Sequence, residues 1–154
     1  MIEWGHKSAG AVHVLQGDSV VAEVRASSFR ERADVAIGAA QWEYFKRSGT
    51  LHGVSQGHAG RLSASRQSMF RQGWQVEAGA QAYLIRPEGF FQSRYRVERA
   101  GVSIGESRKA GFWSNRPTLD VDADVPLEHQ VFLLWIAFIM RRRAAGAAAG
   151  ASAS

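Results

Sequence analysis

The chain has 154 residues, a length that suits one domain rather than two, and its 45% apolar content is enough to build a core. It contains no cysteine, which excludes a disulfide scaffold and thiolate metal sites and fits a reducing compartment. The formal charge is +5, carried almost wholly by arginine because the only lysines are Lys7, Lys46 and Lys109; this balance favours acidic partners, although a GC-rich genome would give the same composition.

The first residues, MIEWGHKSAG, lack the charged segment and apolar stretch of a signal peptide. From residue 10 to 116 the chain reads as short strands broken by glycine. Residues 10–27, GAVHVLQGDSVVAEVRAS, alternate apolar and polar around Gly17-Asp18, which predicts strand, turn, strand. Trp42 to Ser55 repeats the pattern with its turn at Ser48-Gly49. Segments 73–79 and 82–89 are two further strands, and Pro87 suits a strand end or edge because it cannot donate to a ladder. Tyr95 to Ser107 forms a third hairpin around Ala100-Gly101.

The second and third hairpins align without gaps at an offset of 52 residues: Arg47, Gly49, Gly53 and Ser55 match Arg99, Gly101, Gly105 and Ser107. A duplicated β-meander unit explains the match. Chance self-similarity among glycine-rich hairpins is the alternative.

Near residue 120 the character changes. Leu119 to Pro126 reads as a polar turn, with Asp124 as helix N-cap, Pro126 in the first turn and Glu128 suited to the positive end of the dipole. A helix over 126–143 follows, with Arg141, Arg142 and Arg143 in its last turn. The remainder, 144–154, is an Ala/Gly/Ser tail expected to be disordered.

The helix carries the strongest signal. From Val131 to Met140, VFLLWIAFIM, no position is polar, so no face is left for water. Such a run is too short for a membrane span and is bounded by Gln130 and Arg141. It must therefore be surrounded, with Val131, Leu134, Trp135 and Phe138 as its core. Strands are the other element at hand, so the expected fold is mostly β: an antiparallel β-meander barrel of two tandem units closed around a C-terminal apolar α-helix. Residues 1–143 would form this single domain. Burial in a partner's groove or in a membrane are the competing explanations.

Tandem meanders with turn glycines at Gly49 and Gly101, followed by the terminal PLEHQVFLLWIAFIMRRR, resemble the tubby-like C-terminal superfamily. The nearest branch looks like the LURP-one-related proteins, with phospholipid scramblases as more distant relatives. The resemblance covers most of residues 5–143 and implies a barrel threaded by its terminal helix. The chain is short for that fold, so a strand or two fewer is expected. Tubby binds phosphoinositide head groups through basic barrel residues and scramblase-like members associate with membranes; no motif here carries over their site residue by residue.

Other motifs are weighed by their chemistry. Gly101-Val-Ser103-Ile-Gly105 matches the G-x-S-x-G elbow, and Ser103, an Asp at 120, 122 or 124, and His129 follow the hydrolase order. An elbow joins a strand to a helix, whereas ESRKAGFWSNRP after Gly105 has no helical period, so Ser103 reads as a hairpin residue. Asp120, Asp122 and Asp124 open like a calcium loop, but Val125 and Val131 stand where glycine and glutamate are needed. His6, His13, His52, His58 and His129 show no ligand spacing, so no metal and no cofactor are expected.

Basic residues interleave with aromatics in two places. Arg61, Arg66 and Arg71 flank Phe70 and Trp74; Arg86, Arg94, Arg96 and Arg99 flank Phe90, Phe91 and Tyr95. In a strand, Arg94 and Arg96 share one face and Tyr95 and Val97 the other. Arg86, Arg94, Arg96 and Arg99 are thus the candidate anion-binding residues, against a plain solvated exterior. Phe90-Phe91 reads as a loop tip that touches a membrane interface or closes one barrel end. The expected function is a non-enzymatic barrel that binds anionic phospholipid, a membrane surface or another acidic ligand, in the cytoplasm with or without peripheral membrane contact. A structural or protein-interaction module with an unknown protein partner is the alternative, and a serine hydrolase using Ser103 ranks below both. Nucleic acid is not an expected partner, for lack of an aromatic RNP pattern or a recognition helix.

Overall fold

The computed structural model describes residues 1–27, 30–57, 60–68, 72–89 and 93–152. His58, Phe70, Arg71, Phe90 and Phe91, singled out above, lie outside the described residues. Twelve strands run in sequence: β1 Ile2–Ser8, β2 Ala11–Gln16, β3 Ser19–Ala26, β4 Arg32–Ile37, β5 Ala40–Arg47, β6 Thr50–Ser55, β7 Arg61–Arg66, β8 Trp74–Ala78, β9 Gln81–Glu88, β10 Arg94–Arg99, β11 Val102–Lys109 and β12 Pro117–Val121. One helix, α1, spans Leu127–Ser152.

Each strand pairs antiparallel with the next, and β12 returns to pair with β1 at Leu119 and Ile2, so the sheet closes into a barrel with no free edge. The shortfall of strands expected from the chain's length is not seen. Alternation places one side chain in two inside: Trp74, Val76 and Ala78 of β8 are buried while Gln75 and Glu77 face out. Among the inward residues, Ala22, Ala33 and Ala64 are small, which leaves room in the lumen for a helix.

The aligned hairpins share their turn geometry. Ser48 and Gly49 have φ of 51° and 82°, Ala100 and Gly101 have 51° and 78°. Both central residues are left-handed, as a two-residue turn between right-twisted strands requires, and glycine takes the second position. The turns of the two hairpins lie at opposite ends of the barrel, because three strands, β7, β8 and β9, separate the hairpins in a continuous meander.

Gly105 has a different reason. Its φ is 153°, and a Cβ there would overlap the Asp120 carbonyl oxygen and stand 2.6 Å from Cα of Val121. The register of β10 and β11 shifts between Val97 and Glu98, and this bulge lets β12 approach closely enough to close the barrel. The segment from 119, expected to be a polar turn, begins as strand β12 instead: Pro117, Thr118 and Leu119 are buried. Pro117 at the first residue of that strand is compatible with pairing.

Helix α1 threads the barrel. Val131, Leu134 and Trp135 are fully enclosed, and every residue from Val131 to Ala137 is buried. Its side chains reach the wall on several sides: Phe132 and Trp135 meet Tyr44 of β5 at 5.1 Å each, and Phe138, half-buried, stacks on Trp4 of β1 at 4.6 Å. His129 meets Tyr83 of β9, and Arg141 lies over Tyr95 of β10.

Two details of the helix differ from the sequence reading. Asp124 is not the N-cap; its carboxylate pairs with Arg99 at 3.0 Å, and the Gln130 side-chain amide donates to the Val125 carbonyl just before the first turn. The helix also continues past Arg143 through Ser152, where the tail was expected to be disordered, so the three arginines sit mid-helix rather than in the last turn. Alanine has the highest helix propensity, and the run after Arg143 is mostly alanine. Twenty-six helical residues span about 39 Å, whereas an eight-residue strand spans about 27 Å. The surplus length emerges as an exposed rod from residue 145 onward.

Candidate anion-binding site

The helix gives the barrel two distinguishable ends. It enters after β12, at the end that carries the turns Gly17-Asp18, Gly79-Ala80 and Ala100-Gly101. It leaves at the opposite end, which carries the β3–β4, β5–β6, β9–β10 and β11–β12 connections.

Arg94 and Arg96 of β10 and Arg86 of β9 lie on the outer wall, while Tyr95 and Val97 point inward, as alternation requires; Arg99, which has the inward parity, sits at the helix-entry end of the strand beside Tyr83 and Asp124. The four do not converge on one point. Arg94 and Arg99 stand at opposite ends of one strand, about 17 Å apart. Each also has a carboxylate. Arg86 pairs with Glu98 at 2.8 Å, Arg94 with Glu106 at 3.2 Å, Arg96 with Glu88, and Arg99 with Asp124 at 3.0 Å. This wall is a lattice of cross-strand ion pairs. Exposed pairs of this kind contribute little stability and offer little net charge to a ligand.

A different cluster has a surplus of cations. At the helix-exit end, a hollow of about 820 Å³ is lined by Arg30 from the β3–β4 connection, Arg32 from the start of β4, Lys46 and Arg47 from the end of β5, and Arg142 and Arg143 from α1. Two carboxylates, Glu31 and Glu43, share the hollow. Glu31 accepts two 2.6 Å bonds from the Arg143 guanidinium and lies 3.6 Å from Lys46. The Arg143 hydrogen bond, opposed by partial burial, holds the Glu31 carboxyl below its usual value. Arg143 is held in place from its other side by Trp74, 5.2 Å from its ring centre. Glu43 pairs with Arg32. Among the described residues, Arg30 and Arg47 have no carboxylate partner. Guanidinium groups converging from three elements can present forked donors to a phosphate or carboxylate.

Arg141, one residue inside this rim, is buried. It donates to the Ser93 carbonyl at 3.1 Å and lies over the Tyr95 ring at 4.7 Å. Burial pushes its basicity down and raises that of the Tyr95 phenol.

The helix-entry end is chemically unlike this. Asp120 pairs with the N-terminal amine, Asp122 and Asp124 with Arg99, and Glu128 stands in the first helical turn. His129 Nδ1 lies 2.9 Å from the Tyr83 hydroxyl, an interaction that a neutral ring accepts, and burial holds the ring's pKa below its usual value. The hydrolase constellation is therefore not assembled. Ser103 is an exposed strand residue opposite Glu98, His129 engages Tyr83, and Asp124 engages Arg99. Gly105 serves the close approach of β12 rather than a nucleophile elbow. Among the other histidines, His13 lies 3.6 Å from Glu23 and His52 stacks on Phe45.

The sequence did signal the exit-end hollow, in the runs Arg30-Glu31-Arg32 and Arg141-Arg142-Arg143. Nothing local showed that barrel closure and helix length would bring these runs together. No helix among the described residues is long and apolar enough to cross a membrane. Comparison with protein-family models, with curated proteins and with solved structures finds no match for this chain.

Proposed function

We propose that this chain is a non-enzymatic, tubby-like binding barrel of the LURP-one-related kind, and that it receives an anionic, phosphate-bearing ligand at its helix-exit end. The observation that carries the reading is the surplus of cations in one hollow: six basic side chains from the β3–β4 connection, β4, β5 and α1 against Glu31 and Glu43. The closed meander with a threaded helix supports the family reading, and the separation of Ser103 from the pairings of His129 and Asp124 supports a binding rather than a hydrolytic role. Arginine suits the task because its fork can grip two oxygens at once. The rigid wall supplies a preorganised frame, so little ordering accompanies binding.

Calorimetric titration with inorganic pyrophosphate at low salt tests this. The expected result is saturable binding that weakens as salt rises. The pair Arg47→Ala and Arg142→Ala should weaken it at least about tenfold, or about 1.4 kcal/mol, while Arg86→Ala leaves it unchanged. Absence of binding by the wild-type chain at low salt would overturn the reading.

A further inference from the structure

We propose that the loop between β11 and β12 is a membrane-docking tip, in which Phe112 and Trp113 enter the interface of an anionic bilayer while Arg94, Arg108 and Lys109 engage its head groups. The proposal does not rest on the hollow holding a ligand; the two surfaces are built from different residues.

Three observations carry it. The first is exposure: Phe112 is 83% and Trp113 94% exposed, the most exposed of the large apolar side chains described. Scattered apolar residues on a surface are ordinary, but these two are adjacent, and their rings meet edge to face at 4.9 Å. Together they make a compact wedge.

The second is local construction. Ser114 N–H donates to the Gly111 carbonyl at 3.2 Å, which places Phe112 and Trp113 at the two central positions of a turn. Those positions ordinarily hold glycine, proline, asparagine or aspartate, chosen for backbone geometry and for water. Two large aromatics there gain no burial in this chain. The turn is braced at its base, where Ala110 N–H donates to the Arg116 carbonyl at 2.8 Å and the Arg116 side chain donates to Ser114 Oγ at 3.1 Å. The rings are thus held outward by a hydrogen-bonded frame.

The third is charge. A hollow of about 760 Å³ beside the rings is flanked by Arg94, Arg108 and Lys109. Arg94 and Arg108 share the single carboxylate of Glu106, and Lys109 has no carboxylate partner among the described residues. From Lys109 to Arg116 the loop holds no acidic residue. Aromatic rings beside three cations with one carboxylate among them match the layered chemistry of a bilayer surface, with anionic head groups above an apolar boundary. A protein groove would require a shaped partner, whereas a bilayer asks only for depth and charge. The tip also lies at the same end of the barrel as the arginine hollow.

The test uses vesicles of phosphatidylcholine alone and of phosphatidylcholine with phosphatidylserine, both carrying brominated acyl chains. Trp4, Trp42, Trp74 and Trp135 are buried, so bromine quenching reports on Trp113. The expected result is sedimentation and quenching with the phosphatidylserine vesicles, both reduced by salt. The double variant Phe112→Ser, Trp113→Ser should lose at least tenfold in vesicle partitioning, yet keep its thermal stability and its pyrophosphate titration. Trp113→Phe should keep sedimentation and lose the quenching. Undiminished sedimentation of the double variant would overturn the proposal, as would wild-type chain that ignores phosphatidylserine vesicles at low salt. A dimer that forms without lipid and dissociates in the double variant would also overturn it, by giving the tip to a second copy.

Discussion

The two ends of the barrel are built from the same strands, yet they differ in almost every chemical respect. At the helix-entry end, two-residue turns bind the strands tightly, the acids Asp120, Asp122 and Asp124 are paired with the N-terminal amine or Arg99, and His129 rests on Tyr83. At the exit end the β3–β4, β9–β10 and β11–β12 connections are longer, cations outnumber carboxylates in the hollow, and two aromatic rings stand in solvent. The entry end pairs its three aspartates Asp120, Asp122 and Asp124 with cations. The exit end leaves cations over beside exposed apolar surface, and these are the features on which the proposed binding rests. The segregation follows from topology: an antiparallel meander sends alternate connections to opposite ends, so a chain can keep structure at one and recognition at the other.

The largest effect should come from the core that both ends share. Trp135→Asp places an unpaired charge inside the lumen, at a cost of several kcal/mol, comparable to the stability of a typical domain. The chain should fail to give a cooperative thermal transition by circular dichroism, and neither end should survive alone.

A smaller effect should distinguish the ends. Gly105→Val forces a side chain into the Asp120 carbonyl, at the closure of β11 on β12. A loss of about 2–4 kcal/mol is expected in chemical denaturation. Hydrogen exchange should rise first in β12 and β1, with less change around β4 and β5.

Titration should separate the ends again. Burial lowers the pKa of His129, so the stability tied to its neutral ring is complete above about pH 6.5 and is lost as pH falls from there through the lower folded value. Glu31 is held low chiefly by its hydrogen bond to Arg143, so its contribution is complete above about pH 4.5 and is lost only as pH falls further. Melting temperature should therefore decline in two stages on acidification. His129→Gln should flatten the first stage, and Glu31→Gln the second.

The smallest effect should be on the outer wall. Arg96→Ala removes one exposed cross-strand pair with Glu88 and should change stability by less than about 1 kcal/mol, measured by urea denaturation.

Much of the fold was legible because it rests on local rules. The period-2 strands and left-handed turn glycines named the hairpins at 17, 48 and 100, and ten apolar residues in a row could only be a surrounded helix. Strands β1, β4, β7 and β12 were less visible. β7 is rich in serine and alanine, and β12 mixes proline with aspartate, so neither has the β-branched signature of a strand. The arginine wall was seen from its alternation, but its carboxylate partners come from neighbouring strands whose register a single sequence does not reveal. The hollow and the aromatic tip were missed for the same reason. Charge runs at 30–32 and 141–143 look like a loop and a helix end until closure sets them side by side, and Phe112-Trp113 looks like core until the turn holds it outward.

The most direct test is to map a phosphate-bearing ligand onto the folded chain. Amide chemical shifts of labelled protein titrated with pyrophosphate should move in residues 30–32, 46–50 and 141–144 and stay still in residues 120–129. Shifts concentrated at the helix-entry end, or no shifts at low salt, would contradict the division of labour between the two ends.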